Sequence, residues 1–160
     1  MSSAVHIWSA DSSDRVNFQL GKKIIGEHAQ RATVWDRRKN KKKGSKDPFL
    51  CGSESIESTW LSRILRYATA VIVAEPTKTT RSKQAKDDIV QRATRMVGFV
   101  VLKAKKKENV LKIELICGPG LGRVLMNHVE KMAKRLGYDK IQLAAMSNVI
   151  SFYRSLGYVN

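Results

Sequence analysis

The residues of this 160-residue sequence best suited to chemistry form a glycine cluster, Ile116-Cys117-Gly118-Pro119-Gly120-Leu121-Gly122-Arg123, between an apolar run and an amphipathic one. A helix starting there leaves four backbone N–H groups without partners, and its dipole makes that end effectively positive. Glycines let a backbone approach a pyrophosphate closely and supply dihedrals that other residues resist. The expected ligand is a phosphate-bearing cofactor; the alternative is a tight strand-to-helix turn that binds nothing. A P-loop needs GxxxxGK[ST], a string this sequence lacks. A dinucleotide fingerprint needs a third glycine where Arg123 stands, and an acid about 20 residues later at the end of the next strand. Asp139 has that separation but precedes the run Ile141 to Met146.

The other reactive side chains form no recognisable constellation. Cys51 and Cys117 have no CxxC spacing and no neighbouring histidine cluster, so neither a metal site nor a disulfide framework is expected. No histidine is spaced to activate Cys117 as a nucleophile. His128 sits at the polar edge of a predicted helix and reads as structural, and His6 and His28 show no partner pattern. Glu114 is the one acid within Val110 to Cys117. In an alternating strand Ile113 and Leu115 share one face, and Glu114 and Ile116 the other. A glutamate between apolar neighbours is expected to hold its proton more tightly. Paired with Lys112 or a lysine of the next strand, it is an ordinary surface carboxylate.

These groups need elements to position them. Val5 to Trp8 suits a short strand. From Val16 to Trp35, apolar residues recur at helical spacing (Phe18, Leu20, Ile24, Ile25, Ala29, Ala32), with Asp14 in the N-cap region. A basic run with Gly44 and Pro48 reads as an exposed loop over 37–46, and a second helix spans about Ser55 to Tyr67. Strands are predicted at Ala70 to Ala74, Met96 to Leu102, Val110 to Cys117 and Ile141 to Met146. Residues 77–93 read as a long polar loop with a helical turn, and Lys105 to Asn109 as a turn. A helix from Leu121 to Leu136 presents Leu121, Val124, Leu125, Val129, Met132, Ala133 and Leu136 inward and stops at Gly137. A short helix, Asn148 to Leu156, closes the chain. The fold class is mixed α/β, an α+β mixed sheet wrapped by helices.

Three motifs in this order resemble the GNAT superfamily of N-acetyltransferases. Gly120-Leu121-Gly122 resembles the end of its (Gln/Arg)-x-x-Gly-x-(Gly/Ala) cofactor motif. Val97-Gly98-Phe99 is similar to its third strand, and Phe152-Tyr153-Arg154-Ser155-Leu156-Gly157-Tyr158 to its closing Phe-Tyr-x-x-x-Gly-(Phe/Tyr). Cys117 stands where the family has Gln or Arg, Pro119 removes one N–H from the loop, and the sequence stops at Asn160 where the family has one more strand. That strand is then either cut off or supplied by another chain. The resemblance implies an acyl-CoA N-acyltransferase fold over 1–160, with acceptor-side elements in 1–95 and an acetyl-CoA-binding half in 96–160. It implies acetyl-CoA as co-substrate, bound where the fourth and fifth strands splay. Leu115, Ile116, Cys117, Gly118, Gly120, Leu121, Gly122, Arg123 and Asn148 would contact it. Tyr153 would be the general acid for the departing thiolate, and Glu114 the general base, unless water relays the proton.

The net charge of +16 favours anionic partners and says little about fold. Seven basic residues between Arg37 and Lys46 include no acid among them, a pattern suited to phosphate contact or nuclear import and also to a solvated loop. No run is long enough to cross a bilayer, and the N-terminus does not read as a secretory signal, so the expected location is cytoplasmic, with a nuclear one open. Two readings follow: an acetyl-CoA-dependent N-acetyltransferase acting on a protein lysine, an N-terminus or a small amine, or a basic nucleic-acid-binding module that keeps the fold without turnover. The acceptor could sit on an anionic assembly, and an oligomer is open. No metal is implied.

Overall fold

A computed structural model describes residues 4–39, 50, 58–76, 88–143 and 156–158. The chain enters as strand β1 (Val5–Asp11), followed by helices α1 (Arg15–Lys39) and α2 (Ser58–Arg66). Strand β2 (Ala70–Pro76), helix α3 (Ile89–Arg95) and strand β3 (Gly98–Lys105) come next. A single 3₁₀ turn (Lys106–Glu108), with Asn109 left-handed behind it at φ 60°, leads into β4 (Val110–Cys117). Helix α4 (Gly122–Leu136) and strand β5 (Lys140–Leu143) complete the described elements. The expected mixed α/β class is the observed one.

The five described strands form one sheet in the order β1-β2-β3-β4-β5, antiparallel through β4, with β5 parallel to β4. Helices α1, α2 and α3 cover one face, packing on Ala10, Val71, Val73, Phe99 and Val101. Helix α4 covers the other, on Ala70, Ile72, Ala74, Val100, Leu102, Leu111 and Ile113. Ala70 to Ala74 are wholly buried because β2 lies inside the sheet under helices on both sides, so its sequence is continuously apolar instead of alternating.

Several boundaries differ from the sequence reading. Helix α1 continues to Lys39, so the first three residues of the basic run, Arg37 to Lys39, are helical; 40–49 lie outside the described residues. Residues 89–95 form a full helix, capped by Asp88, whose carboxylate accepts the Gln91 N–H at 2.8 Å. On α4, Val124 is exposed and Met126 is buried in its place. The predicted helix Asn148 to Leu156 falls outside the described residues except for Leu156, which lies in a turn.

Helix α1 carries two glycines that predict opposite outcomes for one substitution. A Cβ on Gly21 would stand 2.7 Å from Val71 Cγ2, a stiff, wholly buried side chain, whereas on Gly26 it would meet only Leu65 Cδ1 at 3.7 Å. Alanine gains about 1 kcal/mol of helix propensity over glycine, and overpacking costs typically about 1–3 kcal/mol. Gly26→Ala is therefore expected to raise the melting temperature and Gly21→Ala to lower it, read side by side by calorimetry.

Asp11, at the end of β1, ties that strand to the start of α1 and to α4. Its Oδ1 accepts from the backbone N–H and hydroxyl of Ser13, and Oδ2 lies 3.5 Å from Arg135 Nη1. The Ser13 hydroxyl holds the carboxyl below its ordinary range; burial opposes this, and the Ser13 N–H and the Arg135 guanidinium assist. A depressed folded-state pKa contributes stability above the unfolded value of 3.8, and that stability is lost as pH falls through the folded value. Asp11→Asn should thus melt below the natural chain at neutral pH, with the gap narrowing as pH drops below 3.8.

Candidate active site

Strand β4 is not a regular strand. Val101 pairs with Leu115 but its neighbour Leu102 pairs with Ile113, so Glu114 is an extra residue with no partner in β3. This bulge corrects the alternation expected from the sequence. Ile113 faces α4, whereas Leu115 faces the α1–α3 side with Val101 and Cys117. A bulge re-aims side chains and sharpens local twist, and here it directly follows the last described β4–β5 pair, Ile113↔Leu143. The β4–β5 pairing runs from Val110↔Lys140 to Ile113↔Leu143 and ends there among the described residues. Residues 114–117 thus keep β3 on one side and no described strand on the other.

Glu114 is half-buried, with its carboxylate 3.8 Å from Lys112 Nζ. Lys112 lies opposite Lys103 on the α1–α3 side of the sheet, so the Glu114–Lys112 pair stands on that side. The sequence offered this lysine as an alternative partner, and it is the partner seen.

Beyond Cys117 the chain turns tightly. The Leu121 N–H donates to Gly118 O at 2.9 Å, and Gly120 has φ +78°. A left-handed glycine third is what a type II turn requires, and proline second is common there. Pro119 therefore sets the turn's geometry, and its missing N–H is not one the closing bond needs. Helix α4 begins directly afterwards, with Leu121 as N-cap and no side-chain cap on its first N–H groups. Arg123 in its first turn is exposed, and a Cβ at Gly120 would meet nothing within 4 Å. The loop presents an uncapped helix start and a cation toward open space, which suits an anion.

The base of this loop is tightly packed. A Cβ on Gly118 would lie 2.9 Å from Leu125 Cδ1 and 3.2 Å from Gly98 Cα. One on Gly98 would lie 3.2 Å from the Cys117 carbonyl oxygen. These two glycines let the start of β3, the end of β4 and the first turn of α4 meet in one place.

Two expectations at the site change. Cys117 is disulfide-bonded, against the expectation of two unlinked cysteines; no free cysteine occurs among the described residues. The other cysteine of the sequence, Cys51, lies outside them. A separation of 66 residues carries no spacing signal. A disulfide sulfur is also no nucleophile, which agrees with setting Cys117 aside in that role. His128 on α4 is pushed below its ordinary pKa by burial and then by Lys131, in keeping with a structural, neutral imidazole.

Asn148 and Tyr153 lie outside the described residues. The end of the closing motif does not: Leu156 and Tyr158 pack against the α4-side core, Gly157 has φ +99°, and Tyr158 OH donates to Glu130 at 2.7 Å. The structure thus brings Glu114, Leu115, Ile116, Cys117, Gly118, Gly120, Leu121, Gly122 and Arg123 into one continuous strand, turn and helix start. The bulge carries no sequence signal short of the pairing itself. No group of His, Cys, Asp and Glu suited to a metal occurs among the described residues.

Comparison with known proteins bears on the same segment. The acetyltransferase (GNAT) family matches residues 82–158. No curated protein matches. Among solved structures, the chain is similar to ribosomal-protein-alanine N-acetyltransferase from Brucella melitensis biovar Abortus 2308, at 14% identity and TM-score 0.48, covering 98% of this chain and 93% of that one. Glucosamine-6-phosphate N-acetyltransferase from Arabidopsis thaliana is similar at 15% identity and TM-score 0.47, covering 98% and 92%. An aminoglycoside N-acetyltransferase in complex with CoA is similar at 14% identity and TM-score 0.48, covering 100% and 91%.

Proposed function

We propose, from the premise that this chain belongs through residues 82–158 to the acetyltransferase (GNAT) family, that it moves an acetyl group from acetyl-CoA to an amine by direct attack in a ternary complex. The observation that carries the reading is the uncapped start of α4, one tight turn beyond β4, with Gly120 left-handed and Arg123 exposed in the helix's first turn. We assign backbone groups of Leu115 and Ile116 to an extended amide chain of the co-substrate, a form of strand addition. Gly120, Gly122 and Arg123 offer the N–H groups and charge that a pyrophosphate needs, and Gly118 and Leu121 close the turn that carries them.

In the reaction a C–N bond forms between amine and acetyl carbon, and the C–S bond breaks. The amine nitrogen must lose a proton and the thiolate must gain one. We assign the first transfer to Glu114, on the side of the sheet that carries α1–α3, and the second to Tyr153 of the closing motif. Asn148 is assigned to the co-substrate. Backbone N–H groups near Leu115 and Ile116 would stabilise the oxyanion, the kind of fixed dipole that lowers acyl-transfer barriers most. The acceptor is a protein lysine, an N-terminus or a small amine, reached between the acceptor-side helices and β4.

Acetyl-CoA at a hundredfold excess over its dissociation constant should stabilise the fold by about 2.7 kcal/mol. For a chain of this size that is roughly 5–10 °C in melting temperature. Differential scanning fluorimetry with acetyl-CoA reads it directly. A flat melting temperature at millimolar acetyl-CoA would remove the enzyme reading.

A further inference from the structure

The charge on this protein is not spread evenly. Lys103 and Lys105 of β3, Lys112 of β4 and Lys140 and Gln142 of β5 point to the same side of the sheet, as the register and the 3.1 Å hydrogen bond from Lys105 Nζ to Gln142 Oε1 require. This is the side that carries α1–α3, but those helices pack over β1 to β3 and the end of β4. At the β3–β4–β5 end, Lys140 and Gln142 are exposed and the other lysines half-exposed. Tyr67, just after α2, stands at the edge of this face and is 55% exposed. Lys103 Nζ lies 5.8 Å and Arg66 Cζ 6.0 Å from its ring centroid. Lys103 Nζ also donates to Tyr67 O at 3.4 Å, and Arg63 is exposed one turn earlier. Glu108 and Glu114 reach Lys105 and Lys112 only at 3.9 and 3.8 Å, surface pairs that neutralise little of the field.

We propose that this face binds single-stranded nucleic acid, the ammonium groups taking phosphates and the Tyr67 ring stacking on a base. The exposed aromatic selects this partner. A basic surface alone attracts any polyanion, but an acidic peptide makes no use of an aromatic ring held among cations. In a duplex the bases already stack on one another. A strand with unpaired bases uses both features at once. The face uses none of residues 37–46, and its binding is measured without acetyl-CoA, so the result does not depend on the acetyl-transfer reading.

Fluorescence anisotropy of the full chain with a labelled oligouridylate, across a salt series, tests the proposal. Tyr67→Ala should weaken binding at least about fivefold with the salt slope unchanged, and Tyr67→Phe should retain it. Replacing Lys103, Lys105 and Lys112 together by glutamine should lower the log–log salt slope by about 2, with melting temperatures checking that each variant is folded. The proposal is overturned if oligouridylate does not bind, or if neither Tyr67→Ala nor the lysine variant changes binding. Equal affinity for a duplex, or equal competition by polyglutamate, would equally overturn it by reducing the face to a general polyanion surface.

Discussion

Tyr153→Phe is expected to lower turnover about a hundredfold, the lower end of what a positioned acid–base group contributes, while acetyl-CoA still raises the melting temperature as in the natural chain. The substitution removes one oxygen and leaves the ring, so packing is preserved and the proton is the main thing lost. A phenol of pKa about 10 is matched to an alkyl thiol of about 8.5, and without it the sulfur must leave unprotonated or wait for water. The residue falls outside the described part of the chain, but its motif is anchored. Three and five residues later, Leu156 and Tyr158 pack under α4, and Tyr158 is hydrogen-bonded to Glu130. Steady-state release of free thiol with a responsive amine measures the effect. Unchanged turnover in a folded, acetyl-CoA-binding variant would take the acid role away from Tyr153.

The largest loss of stability is expected at Phe99→Ala, about 3–5 kcal/mol. At roughly 2–4 °C per kcal/mol for a chain of this size, the melting temperature should fall by roughly 6 to 20 °C. Phe99 is wholly buried and heads the largest such side chains. It sits on β3 between Val73 of β2 and Cys117 of β4, with the His28 ring edge-on at 6.1 Å and 64°. His28 is itself fixed, its Nε2 accepting from the Leu50 N–H at 3.1 Å and its Nδ1 lying 3.3 Å from Ala93 O. Neighbours held this way collapse poorly into a cavity, which places the cost toward the upper end. Phe99→Leu, which keeps most of the volume, should lose far less. If the two variants melt alike, the site relaxes freely and the rigid account of this corner is wrong.

The sequence was most legible where one residue type carries one physical meaning. Gly137 stops α4 at φ +87°, and the β-branched run before Pro76 became the interior strand β2. It was less legible where a competing signal was louder. Asp88 and Gln91 are spaced as a capping box, yet the surrounding lysines and arginines made 77–93 read as a loop, and α3 was reduced to a turn. Val124 fits the helical stripe of α4 and is nevertheless exposed, because Leu125 and Met126 fill the contact with the sheet. The bulge at Glu114 was not legible at all. Its effect is to break the period of 2 on which any face assignment along β4 rests, so Ile113 and Leu115 were placed together when they lie apart. The glycine loop was readable as chemistry, but not the reason Pro119 is tolerated there, which needed the turn's closing bond.

The spatial order of the strands repeats their order in the chain, and this bears on how the protein reaches its native state. Through β4 each strand pairs with its immediate predecessor; the β2–β3 and β3–β4 closures are the shorter ones, while β1–β2 spans α1 and α2, from Asp11 to Ala70. Topologies of this kind keep relative contact order down and folding comparatively quick. The exception is the parallel return through α4 to β5, a crossover that closes only once β4 is in place. The α4–β5 return would accordingly be the last to assemble, on a platform already built.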